Sequence, residues 1–317
     1  MPEAGKARAR IRATQTLVSH MSFCWRHPSL TAIEVGWRWL FGAPFLLVLW
    51  GQAQQILARI PPESVGLDRL NFQNPWVSSV LLVDAAGGYH PAVVEVLRWL
   101  VPAAVAAWAV ISGFGRTLVI SRMVRLDVLE NGRPGPRFTK KIPAMIVLQG
   151  LWLMALLGCC WLWYRGVAWA AGTHITSASE PDLVGYLCWL IFLSLGCFVL
   201  WAVTSWTLAM APLICGLEGC SVFEALKRSF RLGKTFSGKL VEVNLVMAIV
   251  KIALIVLAMV FSAAPLPFSD QFGQDFMHFL YVLIAVGYLV ANDYFHVVRL
   301  ESFVDFWRVY RSADLAA

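Results

Sequence analysis

Eight polar residues interrupt the apolar runs of this chain where chemistry could be done: Glu34, Arg38, Gln149, Asn244, Lys251, Asn292, Asp293 and His296. A charged side chain inside a bilayer costs roughly 2.5–3.5 kcal/mol on insertion scales, so each one needs a partner or a purpose. Arg38, Lys251 and Asp293 are the deepest. Counted from the basic ends of their runs, all eight fall in the same half of a helical bundle. One reading is a polar cavity, open to one side, for a substrate or a proton. The other is a set of ion pairs that fix helix packing: Glu34 with Arg38 one turn on, and Lys251 with Asp293. A continuous cavity lined by Arg38, Lys251 and Asp293 would mark a transporter. The same groups paired and buried would mark a scaffold. His296 follows Tyr294 and Phe295 near the end of a run and has no partner one turn away, so it is expected at the membrane interface rather than on a metal.

Other chemistries find little support. Cys215 and Cys220 lack a companion His or a Cys-x-x-Cys spacing, which argues against zinc. Seven scattered cysteines, most of them in apolar runs, do not make a disulfide framework. Gly233-Lys234-Thr235 lacks the preceding glycine and the upstream strand of a phosphate loop. No Ser-His-Asp order, HExxH or paired exposed carboxylates occur, so no enzyme activity and no cofactor are expected. The net charge of +7 follows membrane topology better than nucleic-acid binding. Trp37 and Trp307, with six other tryptophans near the ends of apolar runs, suit an aromatic belt. Trp152 and Trp201 are expected to pack or to meet lipid.

These residues must be positioned by membrane helices. The 317 residues are 59% hydrophobic and 14% charged, against about 45–50% and about 25% in a soluble chain. Six runs are long enough to cross a hydrocarbon core of about 30 Å: 31–50, 91–120, 142–164, 183–211, 240–262 and 277–298. The fold class is therefore an all-α polytopic membrane protein with six transmembrane helices and amphipathic interfacial helices on the cytoplasmic side. Residues 1–30 form a basic N-terminal segment, 31–298 the membrane domain and 299–317 a short tail. No signal-peptide core is evident near the N-terminus. The loop 51–90 carries Pro61-Pro62, Asn74-Pro75 and Gly87-Gly88 as breakers, and its apolar piece 76–83 is expected to be interfacial. Asn131 to Pro136 reads as a turn. Twenty Lys and Arg lie in the N-terminal segment, the second and fourth loops and the tail; the other loops hold three, Arg59, Arg69 and Arg165. That bias places both termini in the cytoplasm.

Between the fourth and fifth runs lies the most designed polar stretch, 212–240. Ser221 and Glu224 form a capping box, and Gly233 is placed to stop the helix. On the wheel, Val222, Phe223, Ala225, Leu226, Ser229, Phe230 and Leu232 fall on one half, and Glu224 with the cations Lys227, Arg228 and Arg231 on the other. Such a helix is expected to lie in the cytoplasmic leaflet, with those three cations on anionic lipid headgroups. Residues 13–24 are expected to lie on the membrane in the same way.

Glu218, Ser221, Val222, Glu224, Ala225, Leu226, Ser229 and Arg231 match a motif of six-span bacterial membrane proteins. The chain resembles the YciC-like proteins and the membrane domain fused to some glycerophosphodiester phosphodiesterases. The resemblance implies the six-span fold, set in a bacterial inner membrane, and little about function, and no phosphodiesterase domain accompanies it here. The expected role is non-enzymatic: membrane or envelope organisation, or a subunit of a membrane assembly, with membrane lipids and membrane proteins as partners. A transporter or exporter component using the polar cluster is the alternative, and a lipid-handling enzyme a weaker one.

Overall fold

The computed structural model describes residues 13–69, 75–131, 141–176, 182–235, 237–263 and 273–314. The basic residues Lys6 to Arg12, the turn at 132–136 and the acidic loop at 264–272 lie outside them. Among the described residues there is no strand. The helices are α1 (Ala13–Arg26), α2 (Pro28–Arg59), α3 (Pro75–Asn131), α4 (Ile142–Ala171), α5 (Leu183–Glu218), α6 (Val222–Thr235), α7 (Ser237–Ala263) and α8 (Gln274–Asp314). Six of these, α2 to α5 and α7 and α8, contain stretches long and apolar enough to cross a membrane. The protein is thus an all-α, multi-pass membrane protein.

The helices run further than the apolar runs suggest. The first loop shrinks to short 3₁₀ turns, Pro62–Val65 and Leu67–Arg69. The piece 76–83 is not separate but forms the first turns of α3, which continues through Gly87-Gly88, Pro91 and Pro102. Backbone groups in hydrocarbon must be satisfied within the helix, and this outweighs the breaking tendency of single Pro and Gly residues. Gly88 has a further use, because a Cβ there would lie 2.8 Å from Val65 Cγ1. Likewise α5 passes through Pro212 to Glu218. The tail is not separate either: α8 is continuous from Gln274 to Asp314.

The helices pack in chain order, α2 on α3, α3 on α4 and α4 on α5, while α8 closes against α2 and carries α7 on its flank. Small residues set two of these crossings. A Cβ on Gly113 would meet the Ile146 backbone at 2.9 Å, and one on Gly115 would enter the Trp37 ring at 2.3 Å. Such close approach is how helices bind one another in lipid, where apolar burial supplies no driving force. The core is concentrated at one end of the bundle, around Met123, Met145, Met210, Leu213, Val298 and Phe303. Large apolar side chains along the rest, such as Leu47, Phe192 and Ile252, are exposed, as lipid-facing residues would be.

At the packed end α6 folds back against α5. Gly219 ends α5 in the left-handed conformation (φ 64°), which glycine adopts without a Cβ penalty. Ser221 then caps α6, its Oγ accepting from Glu224 N at 3.3 Å. The reciprocal half of the capping box does not form, since the Glu224 carboxylate pairs with Arg228. Nor does Gly233 stop the helix, which continues to Thr235.

The N-terminal helix α1 also departs from the surface placement read from its sequence. Leu17, Phe23 and Cys24 are buried in the core. Tyr294 donates to Met21 O at 2.8 Å, and His20 and Ser302 are 3.0 Å apart. Burial, and secondarily the charge of Glu301, pushes the Cys24 thiol from 9.0 to about 12. Because the folded pKa lies above the unfolded one, this group favours the fold fully below pH 9.0 and loses that contribution as pH rises towards about 12. Maleimide at neutral pH is expected to leave Cys24 unmodified until the protein is unfolded, whereas Cys24→Ser should flatten the stability decline above pH 9.0. Rapid labelling of native Cys24 would refute this burial.

Candidate functional site

Glu34 on α2 is a fully buried carboxylate. Trp37 donates to its Oε2 at 2.9 Å, and Arg38 Nε donates to its Oε1 at 2.8 Å. Arg116 from α3 brings Nη1 to 3.3 Å of the same oxygen, and His296 from α8 approaches to 3.7 Å. The other arm of Arg38 donates to Asp293 Oδ1 at 2.6 Å. Arg38 thus bridges two carboxylates, one on its own helix and one on α8. The guanidinium of Arg116 donates to His296 Nε2, since it has no acceptor of its own. Arg38 and Arg116 both lie about the Trp37 ring, 5.4 and 5.5 Å from its centroid.

This corrects several expectations. The pair of Glu34 with Arg38 forms, but Asp293 pairs with Arg38 rather than Lys251. Arg38 carries two donor arms and already stands beside Glu34, so it reaches both acids at once. His296 is not interfacial but belongs to the cluster. Trp37 is not in a belt; its indole N–H is spent on Glu34. Trp307, also assigned to a belt, is buried and donates to Glu218 at 2.7 Å.

Beside the cluster is a cavity of about 320 Å³. Arg38, Arg116, Lys251 and Arg299 line it, with His296 and Gln149. Trp108, Trp152 and Trp201 supply apolar wall, the last two in edge-to-face contact at 5.4 Å. Four cations thus stand against the two carboxylates of the cluster, Glu34 and Asp293, neither of which lines the cavity and both of which pair with Arg38. Lys251 makes no hydrogen bond or ion pair among the described residues. Among the described residues the lining holds two buried donors with no acceptor, Trp108 Nε1 and Arg299 Nε, while Arg116 Nη1 has only its ion pair with Glu34, 3.3 Å away. Buried donors without acceptors cost about 1–3 kcal/mol each, more when charged. An anion, which only accepts, matches them. Asn244 and Asn292 do not line the cavity. Among the described residues no group of three His, Cys, Asp or Glu could hold a metal ion.

Arg116 and Arg299 escaped the sequence reading because they were counted as topology charges beside apolar runs. A signal was present for one of them. Asp293, His296 and Arg299 recur every third residue, which stacks them along one helix face.

The motif residues of α6 divide differently from the wheel. Ala225, Ser229 and Leu232 are buried, Val222 and Leu226 pack on the core, and Ser229 donates to Thr207 O at 2.6 Å. Phe223 and Phe230 stand outward, 79% and 62% exposed, on a surface shared with Lys227, Arg231 and Lys234. Of the apolar half of the wheel, Ala225, Ser229 and Leu232 do turn inward, whereas Phe223 and Phe230 do not, because the small Ala225 and Ser229 are what let α6 approach α5. Arg228 is no free headgroup ligand: Glu218 and Glu224 both pair with it and hold its charge on more firmly than usual. No protein-family model, curated protein or solved structure matches the chain.

Proposed function

We propose that this is a non-enzymatic inner-membrane protein that receives an anionic group in the cationic cavity, as the binding element of a transporter or exporter. The supporting observation is the lining: beyond the paired Arg38 and Arg116 it carries Lys251 and Arg299, neither in an ion pair among the described residues, and two buried donors without an acceptor. A purely organising scaffold would leave such groups paired with each other, as Glu34, Arg38 and Asp293 are. The reading keeps the six-span plan implied by the likeness to YciC-like proteins. It places both termini and α6 in the cytoplasm, on the strength of the charge bias. There the exposed Phe223, Lys227, Phe230 and Arg231 rest on anionic lipid, about 1 kcal/mol for each cation near the surface.

Purified protein in neutral detergent is expected to gain thermal stability from at least one of inorganic phosphate, glycerol phosphate and phosphatidic acid, because a ligand that binds only the fold stabilises it by mass action. Choline should give no gain. Lys251→Gln should remove most of the shift. If none of the three anions shifts unfolding, the reading fails. The orientation has its own test in a cysteine-free variant: cysteines introduced at Gly135 and Gly273 should label from opposite sides of the membrane.

A further inference from the structure

The cavity is large enough for a headgroup and too small for acyl chains. Its volume of about 320 Å³ sits at the low end of ligand pockets, roughly 300–1,000 Å³. Its walls are unequal. Helices α2 to α5 pack in series, and α8 seals against α2. Helix α7 packs along α8 and α1 but hardly meets α5. Yet these two helices supply facing parts of the lining: Lys251 from α7, and Trp201, Ser205 and Leu208 from α5. Beyond Met247 the residues of α7 are exposed or half-buried, with Ile249, Ile252, Ile255 and Val256 outward. The side of the lining between α5 and α7 is thus the one that helix packing does not close, and it is apolar apart from Lys251 and Ser205.

We infer that the cavity takes the anionic headgroup of a membrane amphiphile, whose chains leave sideways through the gap between α5 and α7. This rests on the anion-binding reading above and names its ligand class. The chemistry at the cations is that of a phosphate or carboxylate, matched by the Lys251 ammonium and the Arg299 guanidinium. The chain of the ligand supplies what a soluble anion lacks. Apolar tails lie against the α5 and α7 side chains and need not leave the bilayer for the headgroup to be bound.

The experiment compares dioleoyl phosphatidic acid with glycerol phosphate and inorganic phosphate on the full chain in neutral detergent. Native mass spectrometry and thermal shifts give the apparent affinities. Lys227→Gln with Arg231→Gln forms the background, so that lipid on α6 does not count. Phosphatidic acid is expected to bind at least roughly tenfold more tightly than glycerol phosphate. Lys251→Gln should weaken it by roughly tenfold or more, the loss of one charge-assisted contact. Ser205→Trp, which fills the gap, should abolish lipid binding and spare inorganic phosphate, and Gly158→Ala, away from the lining, should change neither. Retained phosphate binding shows that the Ser205→Trp protein is folded. If glycerol phosphate binds as tightly as the lipid, or Ser205→Trp binds lipid normally, the amphiphile inference is overturned while the anion site stands. If none of the three probes binds, both fall.

Discussion

Glu34→Gln is expected to cost about 3–5 kcal/mol of stability, the range for breaking one side of a buried ion pair. The isosteric amide can still accept from Trp37, so packing and that hydrogen bond survive. The lost charge leaves Arg38 with Asp293 alone and Arg116 with His296, which donates no compensating negative charge. Replacing the network as a unit should recover much of the loss: Glu34→Leu, Arg38→Met, Arg116→Met and Asp293→Leu together remove two negative charges and two positive and leave no member of the cluster charged and alone. Denaturant titration in mixed micelles would measure both variants. A Glu34→Gln protein within 1 kcal/mol of the parent, by the ordinary scale of surface changes, would mean that the carboxylate does not balance these guanidinium groups.

Gly113→Leu should have the second largest effect. Even Ala places a Cβ 2.9 Å from the Ile146 Cα and N and 2.6 Å from its Cγ1. Backbone cannot swing aside, so α3 and α4 must separate, and overpacking of this kind costs about 1–3 kcal/mol for a methyl and more for a larger group. Gly115→Ala drives into the Trp37 ring, which could rotate only by releasing Glu34. The control is Gly158, which has no neighbour within 4 Å of a built Cβ. There Ala should stabilise by about 0.5–1 kcal/mol through helix propensity. If Gly113→Ala and Gly158→Ala unfold alike, the close crossing is wrong.

Helix count and class were legible in the sequence because a membrane span is a length criterion, and six runs met it. Helix ends were not, because breakers such as Gly87-Gly88 and Pro212 are weighed against turn statistics from water, while lipid penalises every unpaired backbone group. The polar cluster was partly legible. Glu34 and Arg38 share a helix face by spacing alone, so their contact could be read directly. The partner of Asp293 could not, since it depends on which helix α8 meets, and chain adjacency pointed to α7. Arg116 and Arg299 sat near run ends, where a cation ordinarily snorkels. Only the packing of α3 and α8 turns them inward.

Helix α8 has neither Gly nor Pro between Asp293 and Asp314. It joins the Arg38 bridge at one point to the Glu218 carboxylate, through Trp307, roughly 21 Å further along at 1.5 Å per residue. Mechanically it is a push-rod without a hinge. A shift of the rod when the cavity fills would be delivered at Glu218, the same acid that anchors Arg228 of α6. Any such linkage must run equally in both directions. Lipid drawn onto Lys227 and Arg231 would then tighten or loosen the grip on the anion by the factor with which the anion alters lipid contact at α6. Trp307→Phe, which keeps the rod and cuts its tie to Glu218, should erase that mutual dependence; an unchanged dependence would show that the rod carries no load.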